Sequence, residues 1–195
     1  MGPINRVSGL LILSICLLAA VMAGTSVAEA PAASFYDLKL TDLEGRSVDM
    51  AAYRGKVVLV VNVASYCGYT VQYGGLEKLH REYAPRGFAV LGFPSNEFGA
   101  QEPGTPAEIR KFVTEKFDVT FPMFSKSVVK PGADQSPAYA FLGRSGKVPK
   151  WNFGKYLVGR DGQVIDLFSS DMTPEFPALH GAIEKALAPR ASGSR

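Results

Sequence analysis

The chain has 195 residues, 47% hydrophobic and 20% charged, a globular composition long enough for one domain with a sizeable core. Its 21 basic and 18 acidic residues leave a net charge of +3, too small a surplus to argue for a nucleic-acid partner. Cys16 and Cys67 are the only cysteines, which excludes a disulfide scaffold and a multi-cysteine zinc site.

Residues 1–28 have the layout of a secretory signal peptide. Arg6 precedes an apolar run from Leu10 to Ala23, interrupted by Ser14, and small residues follow. Ser26-Val27-Ala28 and Ala28-Glu29-Ala30 both fit a cleavage site, and Pro31 disfavours the second. The run is somewhat short for an uncleaved anchor, which needs about 20 apolar residues. Cys16 lacks the small residue expected just before a lipidated cysteine. The expectation is an exported, periplasmic protein with no membrane span after cleavage. The folded domain is expected over residues 34–188 and a disordered tail over 189–195.

Tyr36, Leu38 and Leu40 alternate with polar neighbours, Leu43-Glu44-Gly45-Arg46 offers a turn, and Ser47 to Met50 follows, which predicts an N-terminal β-hairpin. Lys56 to Ala64 is a nearly unbroken β-branched run, the pattern of a central strand buried on both faces. It leads through Cys67 and Gly68 to Thr70, a candidate cap for a helix carrying Tyr73, Leu76, Leu79 and Tyr83 at helical spacing. Pro85 and Gly87 stop that helix, and Phe88 to Phe93 reads as a second strand.

A long irregular loop, residues 94–104, separates this strand from Thr105-Pro106-Ala107-Glu108, a capping box with proline at the first helical position. Ile109, Phe112, Val113 and Phe117 make the buried stripe of the helix that follows. Residues 125–137 read as loop, and Pro137 to Leu142 as a short helix. Trp151 to Val158 and Val164 to Phe168 read as strands of an antiparallel hairpin joined at Gly159-Arg160-Asp161-Gly162. Phe176, Leu179, Ile183 and Leu187 give a terminal amphipathic helix. The order implies an α/β thioredoxin-like fold: a mixed central sheet flanked by helices, with Cys67 between the first core strand and its helix.

Cys67 sits where unpaired helix N-terminal N–H groups favour a thiolate. On its own the cysteine could equally be a small buried hydrophobe. His80 and His180, the residues that could serve a cysteine hydrolase as base, read as solvated helix residues. A thioredoxin-type Cys-x-x-Cys is excluded, because Thr70 stands three residues after Cys67.

Three motifs, in order, are similar to those of the glutathione peroxidase family: Asn62 to Thr70, Gly92 to Pro103, and Trp151-Asn152-Phe153. The similarity covers roughly Ser34 to Leu187. The resemblance implies that Cys67 is the peroxidatic residue, with Gln101, Trp151 and Asn152 as catalytic partners, and that Phe98 and Phe153 wall the site. These residue types suit the chemistry. Peroxide reduction needs a thiolate nucleophile, and an indole N–H and two amides are neutral donors that stabilise thiolate and oxyanion without an ion pair. Taken singly, Trp151 reads as a core aromatic, Gln101 as a loop hydrogen-bonder and Asn152 as a turn cap.

The implied activity is reduction of hydrogen peroxide and organic or lipid hydroperoxides, through a Cys67 sulfenic acid regenerated by glutathione or another external thiol. No metal and no organic cofactor is expected, and a thioredoxin-like protein is a second candidate reductant. The chain departs from many relatives at Ser95, where they carry cysteine, and at Glu97, where they carry glutamine. It also lacks the resolving cysteine that some carry near Val113 to Glu115. The short stretch between 137 and 151 implies a monomer. The competing reading is a non-catalytic thioredoxin-like binding or chaperone module in the cell envelope, kept open by the missing auxiliary cysteines.

Overall fold

The computed structural model describes residues 1–2 and 32–189. The apolar run and cleavage site of the expected signal peptide, and the expected tail beyond Pro189, lie outside the described residues. The chain divides into two units, Met1–Pro31 and Ala32–Arg195, and the second holds the elements that follow.

A capped 3-10 turn at Phe35–Asp37 precedes the hairpin of β1 (Lys39–Thr41) and β2 (Ser47–Asp49), which forms its own antiparallel two-stranded sheet. Then come β3 (Val57–Val63), α1 (Gln72–Tyr83), β4 (Phe88–Pro94) and α2 (Pro106–Phe117). The second half holds α3 (Pro137–Leu142), β5 (Lys155–Val158), β6 (Val164–Phe168) and α4 (Pro177–Leu187). The main sheet has the order β4-β3-β5-β6; β3 runs parallel to β4 and antiparallel to β5, and β5 antiparallel to β6.

Every residue of β3 and β4 is buried, as an apolar run covered on both faces requires. The pleat sends Val57, Leu59, Val61 and Val63 to a face packed by α1, α2 and α4. Val58 and Val60 face a second core built from Phe35, Tyr36, Met50 and the apolar residues of α3. Burying each such side chain contributes about 1.5–3 kcal/mol, so this sheet is the rigid platform of the molecule. The Tyr36 hydroxyl lies within hydrogen-bond reach of the carbonyls of Lys56 and Gly159, which fixes the N-terminal segment to the end of the β3–β5 pair where β3 begins and β5 finishes. This is the thioredoxin-like arrangement: a mixed sheet with helices on both faces and a hairpin before it.

Three local readings change. The strand read as starting at Trp151 starts at Lys155; residues 151–153 form a turn in which Phe153 is left-handed, φ +64°. Phe176 is 49% exposed at the N-cap of α4 and leaves the buried stripe to Leu179, Ile183 and Leu187. The histidines are half-buried and partnered: His80 Nδ1 accepts from Val90 N–H at 3.2 Å, and His180 Nδ1 lies 3.1 Å from the Tyr83 hydroxyl. His80 therefore ties α1 to the outer edge of β4, and burial holds its imidazole below the ordinary histidine range.

Candidate active site

β3 ends at Val63, and the chain turns through residues 64–71 before α1. Thr70 does not cap α1, whose N-cap is Val71 with no side-chain hydrogen bond. Instead Thr70 Oγ1 accepts from Cys67 N–H at 3.0 Å and donates to the Ala64 carbonyl at 2.8 Å. That one hydroxyl closes the turn that carries the cysteine. Cys67 is half-buried, and its Sγ accepts one hydrogen bond among the described residues, from Tyr69 N–H at 3.4 Å. Tyr66 beside it is 69% exposed, so the turn faces solvent.

Gln101 comes from the loop after β4. Gly99 and Ala100 take consecutive left-handed conformations, φ +72° and +51°, which fold that loop back toward the cysteine turn. Tyr66 N–H then donates to the Gln101 carbonyl at 3.0 Å, joining the two segments directly. Asn152 is fully buried, and its Nδ2 donates to Gln101 Oε1 at 3.0 Å and to the Phe98 carbonyl at 3.2 Å. Both Asn152 amide protons are thereby used. Its side chain orients Gln101, whose own Nε2 protons have no partner among the described residues and remain available to a ligand.

Trp151 is 40% exposed, with its ring 6.0 Å from that of Phe98 between centroids. A Cβ at Gly99 would lie 3.4 Å from Trp151 Cη2 and 3.6 Å from Gln101 Cδ, so indole, glycine and glutamine stand against one another. The structure thus bonds Asn152 to Gln101, sets Trp151 and Gln101 both against Gly99, and ties the Gln101 loop to the Cys67 turn through the Tyr66–Gln101 backbone bond. Phe98 and Phe153 are buried walls, Phe153 edge-on to Tyr73 of α1.

Three further residues shape the site. Asn62, fully buried near the end of β3, donates from Nδ2 to the Trp151 carbonyl at 3.0 Å. Its backbone N–H donates to the Gly154 carbonyl at 3.3 Å, and its carbonyl accepts from Phe153 N–H at 2.6 Å. These bonds hold the Trp151–Gly154 turn. The signal for Asn62 was a lone polar residue inside a valine run, where a buried amide must find partners. Lys155 is also fully buried, donates from Nζ to the Phe153 carbonyl at 2.7 Å, and is pushed down to about 7 by burial against the opposing pull of Asp171 and Glu175. Glu102, directly after Gln101, is fully buried, and desolvation pushes its carboxyl up to about 7. No periodicity or spacing marks either residue as buried.

The departures read earlier have structural counterparts. Ser95 is fully buried with its hydroxyl unpartnered among the described residues, and Val113 points into the core. Glu97 accepts from the N–H groups of Val129 and Lys130, which makes it an anchor for the 125–136 segment. Among the described residues, no group of three or more His, Cys, Asp or Glu could hold a metal ion.

The glutathione peroxidase family profile matches residues 35–143. A hydroperoxy fatty acid reductase from Synechocystis sp. is 48% identical over 148 residues, 76% of this chain and 96% of that protein. The crystal structure of Trgpx in apo form matches with a TM-score of 0.64 and 38% identity, over 81% of this chain and 100% of that one. A thioredoxin-like protein from Aeropyrum pernix, TM-score 0.56 and 18% identical over 76% of this chain and 88% of its own, shares the fold alone. With a profile match over more than half of the chain and this extent of similarity, the chain belongs to the glutathione peroxidase family of thiol-dependent peroxidases.

Proposed function

We propose that Cys67 is the nucleophile that reduces hydrogen peroxide and organic hydroperoxides, fatty acid hydroperoxides among them, with electrons from an external thiol. The Cys67 thiolate attacks one peroxide oxygen, the O–O bond breaks, and the leaving oxygen takes a proton to become water or alcohol. Gln101 Nε2 and the Trp151 indole N–H are the donors for the developing oxyanion, and Asn152 holds Gln101 in place. The sulfenic acid then condenses with a thiol, releasing water, and a second thiol frees Cys67 as a new disulfide forms. The name of the Synechocystis relative supports the organic hydroperoxide as substrate.

With Cys16 in the signal segment, the mature chain retains one cysteine, which favours glutathione or another small thiol as reductant over an internal disulfide. The Arg6, apolar-run and small-residue layout of residues 1–28 supports export to the periplasm after cleavage near Ala28. The short 137–151 stretch supports a monomer. The observation that carries the reading is the Thr70-closed turn that presents Cys67 Sγ to solvent with the Gln101 loop bonded alongside. A peroxide-consumption assay with dithiothreitol tests it: the wild-type protein turns over and Cys67→Ser does not. Consumption by the wild type no faster than with dithiothreitol alone would favour the binding-module reading.

A further inference from the structure

Lys155 is a buried group that the proposed chemistry leaves unused. It is fully buried on β5, in register with Val61 of β3 and Phe168 of β6. Its one side-chain hydrogen bond among the described residues runs from Nζ to the Phe153 carbonyl at 2.7 Å. A carbonyl only accepts, and Nζ carries N–H protons in either charge state, so the direction of this bond is fixed. A buried amine must find an acceptor, and here the acceptor belongs to the turn that carries Trp151 and Asn152.

That turn is strained and held from two strands. Phe153 is left-handed, φ +64°, a conformation that a bulky residue keeps only where its surroundings over-determine it. Its N–H donates to the Asn62 carbonyl at 2.6 Å, so β3 holds one side of the residue and Lys155 of β5 holds the other. The next position is wedged as well: a Cβ at Gly154 would lie 2.9 Å from Pro149 Cβ and 3.0 Å from Asn62 Oδ1. Two residues before Phe153, the Trp151 carbonyl accepts from Asn62 Nδ2 at 3.0 Å. The Phe153 peptide therefore sets the path that leads back to the indole.

Resting on the reading of Trp151 as a donor to the peroxide, we propose that Lys155 is a positioning residue: its amine locks the Phe153 peptide in the left-handed turn and so fixes the direction of the Trp151 indole. Without it the Phe153 carbonyl has no donor among the described residues, and Asn62 alone holds the strained turn. The indole is 40% exposed and packed on one side by Phe98, which leaves it room to swing away.

The test is Lys155→Met, which keeps the length of the side chain, removes the donor and leaves no buried charge, so the variant is expected to fold. Trp151 is the one tryptophan in the chain, so its emission and its quenching by acrylamide report on this turn; both are expected to change. Single-turnover oxidation of Cys67 by hydrogen peroxide is expected to slow about tenfold, with reduction by thiol unchanged. In a Trp151→Phe background the same substitution is expected to slow oxidation clearly less, because the group it aims is gone. Unchanged tryptophan fluorescence overturns the proposal, and so does unchanged oxidation. A slowing equally large in the Trp151→Phe background also overturns it and leaves Lys155 a structural residue. If the variant does not fold, NMR of wild-type protein labelled with nitrogen-15 lysine and carbonyl carbon-13 phenylalanine decides. A scalar coupling across the hydrogen bond from Lys155 Nζ to the Phe153 carbonyl supports the proposal, and its absence overturns it. Failure of the peroxidase reading shows as absent Cys67 oxidation in the wild type, whereas failure of this proposal shows in the variant, so the two are distinguishable.

Discussion

In the proposed reaction a thiolate at Cys67 has to reach its peroxide without being locked into an ion pair, and the proposed donors, Gln101 and Trp151, are neutral. Gln101 is oriented by the buried Asn152 amide, and Trp151 by the Asn62 amide on its carbonyl and the Phe98 ring at its side. Donors held in this way need no reorganisation when charge develops, which is why losing one in a preorganised site can cost ~10²-fold or more. Trp151→Phe and Gln101→Ala are therefore expected to slow the oxidation step by about that factor and leave the reductive step unchanged, as read by single-turnover kinetics with peroxide. Unchanged oxidation in both variants would return these residues to structural roles. Asn62→Ala removes the bond to the Trp151 carbonyl without touching the indole, and slower oxidation in a folded variant is the expected result.

The turn between β3 and α1 is the element on which the site depends, and Thr70 is its closure. Thr70→Val keeps the shape and removes both hydrogen bonds of the hydroxyl, a loss of about 1–3 kcal/mol in a buried position. Oxidation by peroxide is expected to slow while helical circular dichroism stays the same, because α1 starts at Gln72 and takes from Thr70 only a backbone bond, Tyr73 N–H to the Thr70 carbonyl, which valine keeps. Loss of helix signal would mean that Thr70 caps α1 after all. Elements driven by local chemistry were legible in the chain. The valine run became β3, the Thr105–Glu108 box opens α2 with both reciprocal bonds formed, and α3 runs from Pro137 to Leu142 as its composition indicates. What stayed illegible was set by distant partners. Trp151 to Phe153 alternates like a strand, yet Asn62, 89 positions before Trp151, bends it into a turn. Thr70 is a good cap by type, but the Ala64 carbonyl and Cys67 N–H claim its hydroxyl.

Across the whole molecule, Lys155 on β5 and Glu102 in the loop after β4 are buried ionisable residues close to the candidate site in sequence. Each costs stability near neutral pH. Glu102 rises from 4.5 to about 7 on folding, so its contribution is full below about 4.5 and is lost as pH rises through about 7. Lys155 falls from 10.5 to about 7, so its contribution is full above about 10.5 and is lost as pH falls through about 7. Glu102→Gln is accordingly expected to exceed the wild type in stability at about pH 8 by about 3 kcal/mol, and to match it at about pH 4, by urea denaturation. A gap that does not change with pH would contradict this. Among the described residues Cys67 is the one cysteine, Ser95 is buried and Val113 faces the core, so with the proposed removal of the signal segment one thiol remains. The most direct test of the account is therefore intact-mass analysis of the mature protein after one equivalent of hydrogen peroxide, followed by glutathione. The account predicts a monomer that gains one oxygen on Cys67 and then a single glutathione adduct at the same residue. An oxygen on any other residue, or loss of two hydrogens to an intramolecular disulfide, would contradict it.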